Sequence, residues 1–199
     1  MRLFVAIELS PEVRRAVQKV QRALGAFDRA VRWTGAEQMH LTLKFLGEVG
    51  EGDVPRVTAA LERATAGSER LRLTTAPAGC FPPRGRVRIV WVGLEGGAAL
   101  LACQSAVEAA LADEGFAKEE RPYAPHLTIG RVREGQGREG RGRAAGGRGG
   151  EGADGLRERV QATAVPAVEQ AAGAFVLMQS ELQPGGAQHT RLATFALGA

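Results

Sequence analysis

The chain is poor in the residues that mark several common kinds of chemistry. It has two cysteines, Cys80 and Cys103. They form no metal-type spacing and read as buried, reduced thiols. No G-x-x-x-x-G-K-[ST] loop is present to cradle ATP. No cluster of carboxylates suggests Mg²⁺. Neither a metal nor a cofactor is therefore expected. No apolar run approaches the roughly 20 residues needed to span a bilayer. The opening MRLFVAIELSPEVRR has a short apolar stretch interrupted by Glu8, and no small-residue cleavage site follows. It does not read as a signal peptide, so the expectation is a cytoplasmic protein with no membrane contact. Lysine is scarce. Of 26 basic residues only Lys19, Lys44 and Lys118 are lysines, leaving 23 arginines. Arginine's planar fork suits phosphate, although abundant Ala and Gly fit a compositional bias equally well. Histidine is as scarce as lysine, with three in 199 positions.

What is present suits a folded protein. Apolar residues make up 44% of the chain, enough for a real core in one domain or in one domain of two similar halves. The net charge of +4 and pI near 9.7 favour an anionic partner by steering. Segment 3–9 reads as a buried strand, and Ser10-Pro11 supplies an N-cap and a first-turn proline for a helix over 11–26. Strands are expected at 31–33, 39–47, 71–81, 87–95 and 125–132, and helices at 54–66, 98–114 and 156–164. Segments 174–182 and 191–197 close as a hairpin. Residues 133–155 are Gly- and Arg-rich without apolar periodicity. They read as a flexible insertion, either a solvated loop or a basic arm that touches RNA.

Two of the three histidines open the same tripeptide, in HLTLKFLGEV (40–49) and HLTIGRV (126–132). Threonine fills 10 positions, so two of three histidines with threonine two residues on is roughly a one-in-a-hundred coincidence, which makes the pair informative where one copy would not be. Period-two alternation puts His40, Thr42 and Lys44 on one face of a strand, and Leu41, Leu43 and Phe45 on the other. In the second copy His126 and Thr128 share a face, with Leu127 and Ile129 in the core. Strict alternation puts Arg131 opposite His126, and a kink at Gly130 would restore it. One reading is structural: two strand histidines making ordinary hydrogen bonds. The other is chemical. Two imidazoles that titrate near neutrality supply a general acid and a general base. Two hydroxyls donate to an oxyanion between them. That set suits metal-free in-line attack at phosphorus, such as opening a cyclic phosphodiester.

With MRLFVAIELSPEVR, VRWTGAEQMHLTLKFLGEVG, RPYAPHLTIGRV and SELQPGGAQHTRLATFAL around these motifs, the chain resembles the 2H phosphoesterases. Within them it is similar to the RNA 2′,3′-cyclic phosphodiesterases, also called 2′-5′ RNA ligases. The resemblance spans nearly the whole chain. It implies an α+β fold of two lobes, with two antiparallel sheets lining a central cleft and helices outside. On that reading residues 1–199 are one bilobal domain carrying the 133–155 insertion. It implies His40 as proton donor to the leaving 3′ oxygen and His126 as the acceptor that activates water. Thr42, Thr128 and Arg131 would contact the phosphate. The expected partner is RNA with 2′,3′-cyclic phosphate ends, tRNA fragments among them, acted on by a monomer. Small cyclic nucleotides, ADP-ribose cyclic phosphate, or RNA-end binding without turnover are the alternatives. His189 departs from the family's aromatic residue near that position and is either an exposed hairpin histidine or a stacking group. Trp33, Phe81 and Tyr123 are either core residues or base-stacking platforms.

Overall fold

The computed structural model describes residues 1–133, 155–183 and 186–198. Nearly all of the Gly/Arg-rich insertion, residues 134–154, lies outside the described residues. Nine strands and four helices are described: β1 (Arg2–Glu8), α1 (Pro11–Ala23), β2 (Val31–Trp33), β3 (His40–Glu48), α2 (Val54–Ala64), β4 (Leu71–Phe81), β5 (Ile89–Glu95), α3 (Gly97–Asp113), β6 (His126–Val132), α4 (Leu156–Ala162), β7 (Glu169–Ala172), β8 (Ala174–Gln183) and β9 (Gly186–Ala196). They build two antiparallel sheets, ordered β3-β1-β8-β9 and β2-β6-β5-β4-β7. The α+β class and the two sheets agree with the sequence reading. None of the described helices is long and apolar enough to cross a membrane.

The helices start where the sequence marks them. The Ser10 side chain accepts from the Val13 N–H, and Pro11 occupies the first turn. α1 buries Val13, Ala16, Val17 and Val20 on one stripe. Gln21 of α1 donates from Nε2 to the Thr34 and Ile129 carbonyls at 2.9 Å each, which fixes α1 to the β2–β6 edge of the five-stranded sheet. α3 goes the other way. It follows β5 of the five-stranded sheet yet packs on β3, where the Lys44 ammonium meets Glu108 at 2.7 Å and the Ala117 carbonyl at 2.7 Å. The two His-Leu-Thr halves are thus interleaved, not laid side by side: each sheet takes strands from both ends of the chain, and a helix leaving one sheet covers the other. One contiguous set of buried apolar residues, from Leu3 to Leu197, joins them. Cys80 and Cys103 are buried and free, and burial pushes the Cys103 thiol up to about 11.

Three elements differ from expectation. β7, Glu-Gln-Ala-Ala, has no counterpart in the sequence reading. It holds no β-branched or aromatic residue and is a strand only because β4 offers it a ladder. Gln170 within it accepts from the Ser10 N–H at 2.8 Å and donates to the Glu8 carbonyl at 3.0 Å, tying β7 to the end of β1. β9 begins at Gly186, five residues before the expected start, because β8 pairs with it continuously from Gln183 back to Met178, short of a bulge at Leu192. α1 ends at Ala23, and Gly25–Phe27 forms a separate 3-10 turn.

Candidate active site

The two repeated strands, β3 and β6, adjoin where the two sheets meet, and the Tyr123 hydroxyl donates to the Thr42 carbonyl across that seam at 2.9 Å. Leu41 and Leu127 are fully buried on the helix-facing sides, which leaves His40 and Thr42, and His126 and Thr128, half-buried on the opposite, cleft-facing sides. Each imidazole is anchored alike. Nδ1 of His40 lies 2.9 Å from the Gln38 carbonyl, and Nδ1 of His126 lies 2.7 Å from the Ala124 carbonyl. A carbonyl only accepts, so Nδ1 carries a proton in both rings, and each Nε2 is left to the cleft.

Both strands then break alternation at the same motif position. In the β1–β3 ladder Ala6 pairs with Thr42 and Val5 with Lys44, so Leu43 is an extra residue. In the β5–β6 ladder Trp91 pairs with Thr128 and Val90 with Gly130, so Ile129 is extra. These β-bulges exchange the faces of the residues that follow, in β3 as far as a second irregularity at Leu46 and in β6 to the end of the strand. Lys44 does not share the cleft face with His40, as alternation predicts; it turns to the helix side, where its residue is 5% exposed. Phe45, expected in the core, is 71% exposed on the cleft side. Arg131 comes onto the face of His126 and Thr128. The irregularity anticipated at Gly130 is a bulge one residue earlier. Gly130 instead permits a close approach. A Cβ there would lie 2.6 Å from Val31 Cγ1 and 2.7 Å from the Trp33 ring, so only glycine lets β2 close on β6.

Aromatic rings back both histidines. Phe4 lies 4.5 Å from His40, centroid to centroid, and His189 meets His40 edge-on at 5.1 Å and Phe4 at 5.0 Å. Phe81 meets His126 edge-on at 5.0 Å and Trp91 at 5.3 Å. Burial, followed by the neighbouring His189, drives His40 down from the usual 6.5 to about 4, against the pull of the Gln38 carbonyl. Burial also lowers His189. The charged groups beside this pair are Glu8, the ladder partner of His40, and Arg191, which pairs with Glu8 at 3.2 Å. Among the described residues no group of three or more His, Cys, Asp or Glu is placed to hold a metal ion.

The family model of the 2′-5′ RNA ligase superfamily matches residues 9–139, and that of the LigT-like phosphoesterases matches 92–187. The chain belongs to the 2′-5′ RNA ligase superfamily. It is 35% identical over 133 residues to the RNA 2′,3′-cyclic phosphodiesterase of Methanothermobacter thermautotrophicus, covering 67% of this chain and 72% of that protein. It is 29% identical to that of Thermus thermophilus over 206 residues, 99% of this chain and 90% of that one. A crystal structure of a Thermus thermophilus protein matches with a TM-score of 0.75 at 27% identity, covering 99% of this chain and 98% of that one. Escherichia coli LigT solved with 3′-AMP matches with a TM-score of 0.72 at 25% identity, covering 100% and 98%.

The structure places His40, Thr42, His126, Thr128 and Arg131 on cleft-facing sides. The other candidates divide. Trp33 is not on the cleft face: its indole N–H donates to the Asp28 carboxylate at 2.6 Å, and its ring packs on the core. Tyr123 is a cross-seam tie, with its phenol pushed up by burial. Phe81 is a cleft residue. Sequence reasoning missed Phe4 and Trp91. Neither lies near a motif, and only the register of β1 and β5 brings them to the histidines. His189 sits in the cleft rather than exposed on the hairpin.

Trp91 also explains a glycine. Its indole lies over Gly79, where a Cβ would fall 2.3 Å from Cζ2 of the ring. Gly79→Ala must displace that ring, which lies 6.3 Å from His126. The expected result is a drop in turnover of roughly tenfold, with about 1–3 kcal/mol lost from overpacking. Steady-state rates measured beside thermal melts check both, and unchanged turnover would show that Trp91 does not support His126.

Proposed function

We propose that this protein opens 2′,3′-cyclic phosphate ends of RNA and leaves 2′-phosphomonoesters. The observation that carries this is the pair of imidazoles, each with Nδ1 committed to the carbonyl two residues upstream and Nε2 free. The naming of the relatives as RNA 2′,3′-cyclic phosphodiesterases supports it. The phosphate sits between the two His-Leu-Thr motifs. His126 Nε2 takes a proton from water as the water attacks phosphorus. The hydroxyls of Thr42 and Thr128 donate to the non-bridging oxygens, and Arg131 neutralises their charge. The P–O3′ bond breaks in line, and protonated His40 Nε2 delivers its proton to O3′.

A 5′-hydroxyl in place of water gives a 2′-5′ linkage by the same displacement. Ring strain supplies the driving force, so no ATP is required. The lowered pKa of His40 favours a second assignment in which His40 is the base and His126 the acid. A bound phosphodiester anion opposes that shift, because negative charge stabilises the imidazolium.

The decisive experiment incubates the protein in EDTA with an RNA bearing a 2′,3′-cyclic phosphate and maps the oxygen that keeps the phosphate. Full activity and a 2′-phosphate are expected. Activity lost in EDTA and restored by a divalent ion would refute the metal-free route, and a 3′-phosphate product would refute the leaving-group assignment. Tight binding without product would leave an end-binding module.

A further inference from the structure

The cleft carries a cation, Arg32, that the displacement at phosphorus does not consume. In the β2–β6 ladder Arg32 is the Cα partner of Arg131. Directly paired residues share a face, so the bulge at Ile129 that turns Arg131 into the cleft does the same for Arg32. Val31 and Trp33, its neighbours, point the other way into the core. Like charges directly opposite in a ladder repel. Both side chains are exposed, and neither joins an ion pair among the described residues. Among the described residues Asp28 holds the Trp33 indole and Glu37 pairs with Arg14.

Arg32 also reaches the opposite sheet. A Cβ on Gly186, at the start of β9, would lie 3.0 Å from Arg32 Nη2 and 2.8 Å from Gln38 Nε2. Gln38 Nε2 itself donates to the Ala187 carbonyl at 2.7 Å. The guanidinium therefore stands where the two sheets approach each other at the β9 end. β2 lies about 5 Å across the sheet from β6, on the side away from β5. Arg32 thus offers a second anion position one strand beyond Arg131, which serves the reacting phosphate.

We infer that Arg32, one strand beyond Arg131, forms a second phosphate subsite that takes the phosphate on the 5′ side of the terminal nucleoside. The internucleotide phosphodiester of an RNA chain is its occupant, so the cleft selects oligonucleotide ends over cyclic mononucleotides. A guanidinium fork suits the two free oxygens of a phosphodiester. The inference rests on the cyclic-phosphate reading above and adds the substrate's size.

The test compares three substrates: a nucleoside 2′,3′-cyclic phosphate, the same with a 5′-phosphate, and a dinucleotide ending in the cyclic phosphate. For the wild type, kcat/KM rises about tenfold or more from the first to the third, the size expected of charge-assisted hydrogen bonds. Arg32→Gln removes most of that ratio and flattens the salt dependence of the dinucleotide reaction. Arg32→Lys keeps part of it, which separates lost charge from a damaged fold. A ratio near one in the wild type, or one untouched by Arg32→Gln, overturns the subsite. A preference for the 5′-phosphate over the dinucleotide overturns the oligonucleotide assignment. Calorimetric binding of the 2′-phosphate products reads the same contrast without turnover. An inactive protein that still binds the dinucleotide product more tightly through Arg32 keeps the subsite and loses the activity. An active one indifferent to Arg32 does the reverse.

Discussion

Replacing either His40 or His126 by alanine is expected to lower turnover of a cyclic-phosphate RNA end by about 10²-fold or more, the loss typical of a positioned acid or base. Neither change touches the core, because both rings face the cleft, so melting temperatures should move little. The two variants should differ in how they respond to the leaving group. On the proposed roles His40 donates a proton to O3′, so a nitrophenyl phosphodiester, whose leaving oxygen needs none, partly bypasses its loss. His126 acts on the nucleophile and gains less from that substrate. The double variant should lose far less than the product of the single effects, since acid and base act in one transition state.

The pH profiles carry the sign of the assignment. In the free protein His40 is down at about 4, so its protonated fraction falls as pH rises through that value. If His40 is the acid, its part in kcat/KM falls with pH above about 4, while the bound phosphate moves the corresponding limb of kcat upward. If His40 is the base, kcat/KM rises through about 4 and then levels. Near wild-type turnover in either alanine variant would sink the mechanism. Rescue of His126→Ala but not His40→Ala by the good leaving group would exchange the roles and keep the site.

Glu108→Ala is expected to cost about 3 kcal/mol or more of stability, because it strands the Lys44 ammonium in the core with only the Ala117 carbonyl as partner. The Lys44 side chain is 3% exposed and that of Glu108 16%, so solvent cannot replace the lost carboxylate at the lysine. For a chain of this length the melting point should fall by roughly 6–12 °C. Turnover below the melt should persist, since the pair lies on the helix side of β3. The double change Lys44→Met with Glu108→Leu should recover most of the loss by removing both charges. Thermal melts with and without each change decide it. A Glu108→Ala protein as stable as the wild type would place Lys44 in the cleft, where strict alternation predicts it, and would contradict the bulge at Leu43.

Much of this protein is legible in its sequence. Period-two and period-3.6 apolar patterns, Ser10-Pro11 and the doubled His-Leu-Thr mark most strands and helices and four cleft-facing side chains, because each signal is carried by residues within one element. The failures share one cause. Lys44, Phe45 and Arg131 lie beyond a β-bulge, and a bulge is a property of the ladder: whether residue 43 or 129 is extra depends on which residue of β1 or β5 stands opposite. β7 is a strand because β4 has a free edge, not because Glu-Gln-Ala-Ala favours one. His189, Phe4 and Trp91 reach the two motif histidines from distant positions in the chain, by register alone. The sequence by itself determined which chemistry is available, since two imidazoles and two hydroxyls at fixed two-residue spacing share a face in any regular strand. Only the tertiary structure decided which charges accompany them. It buried Lys44 against Glu108 and stood Arg32 opposite Arg131, because side-chain facing after a bulge is set by pairing across strands.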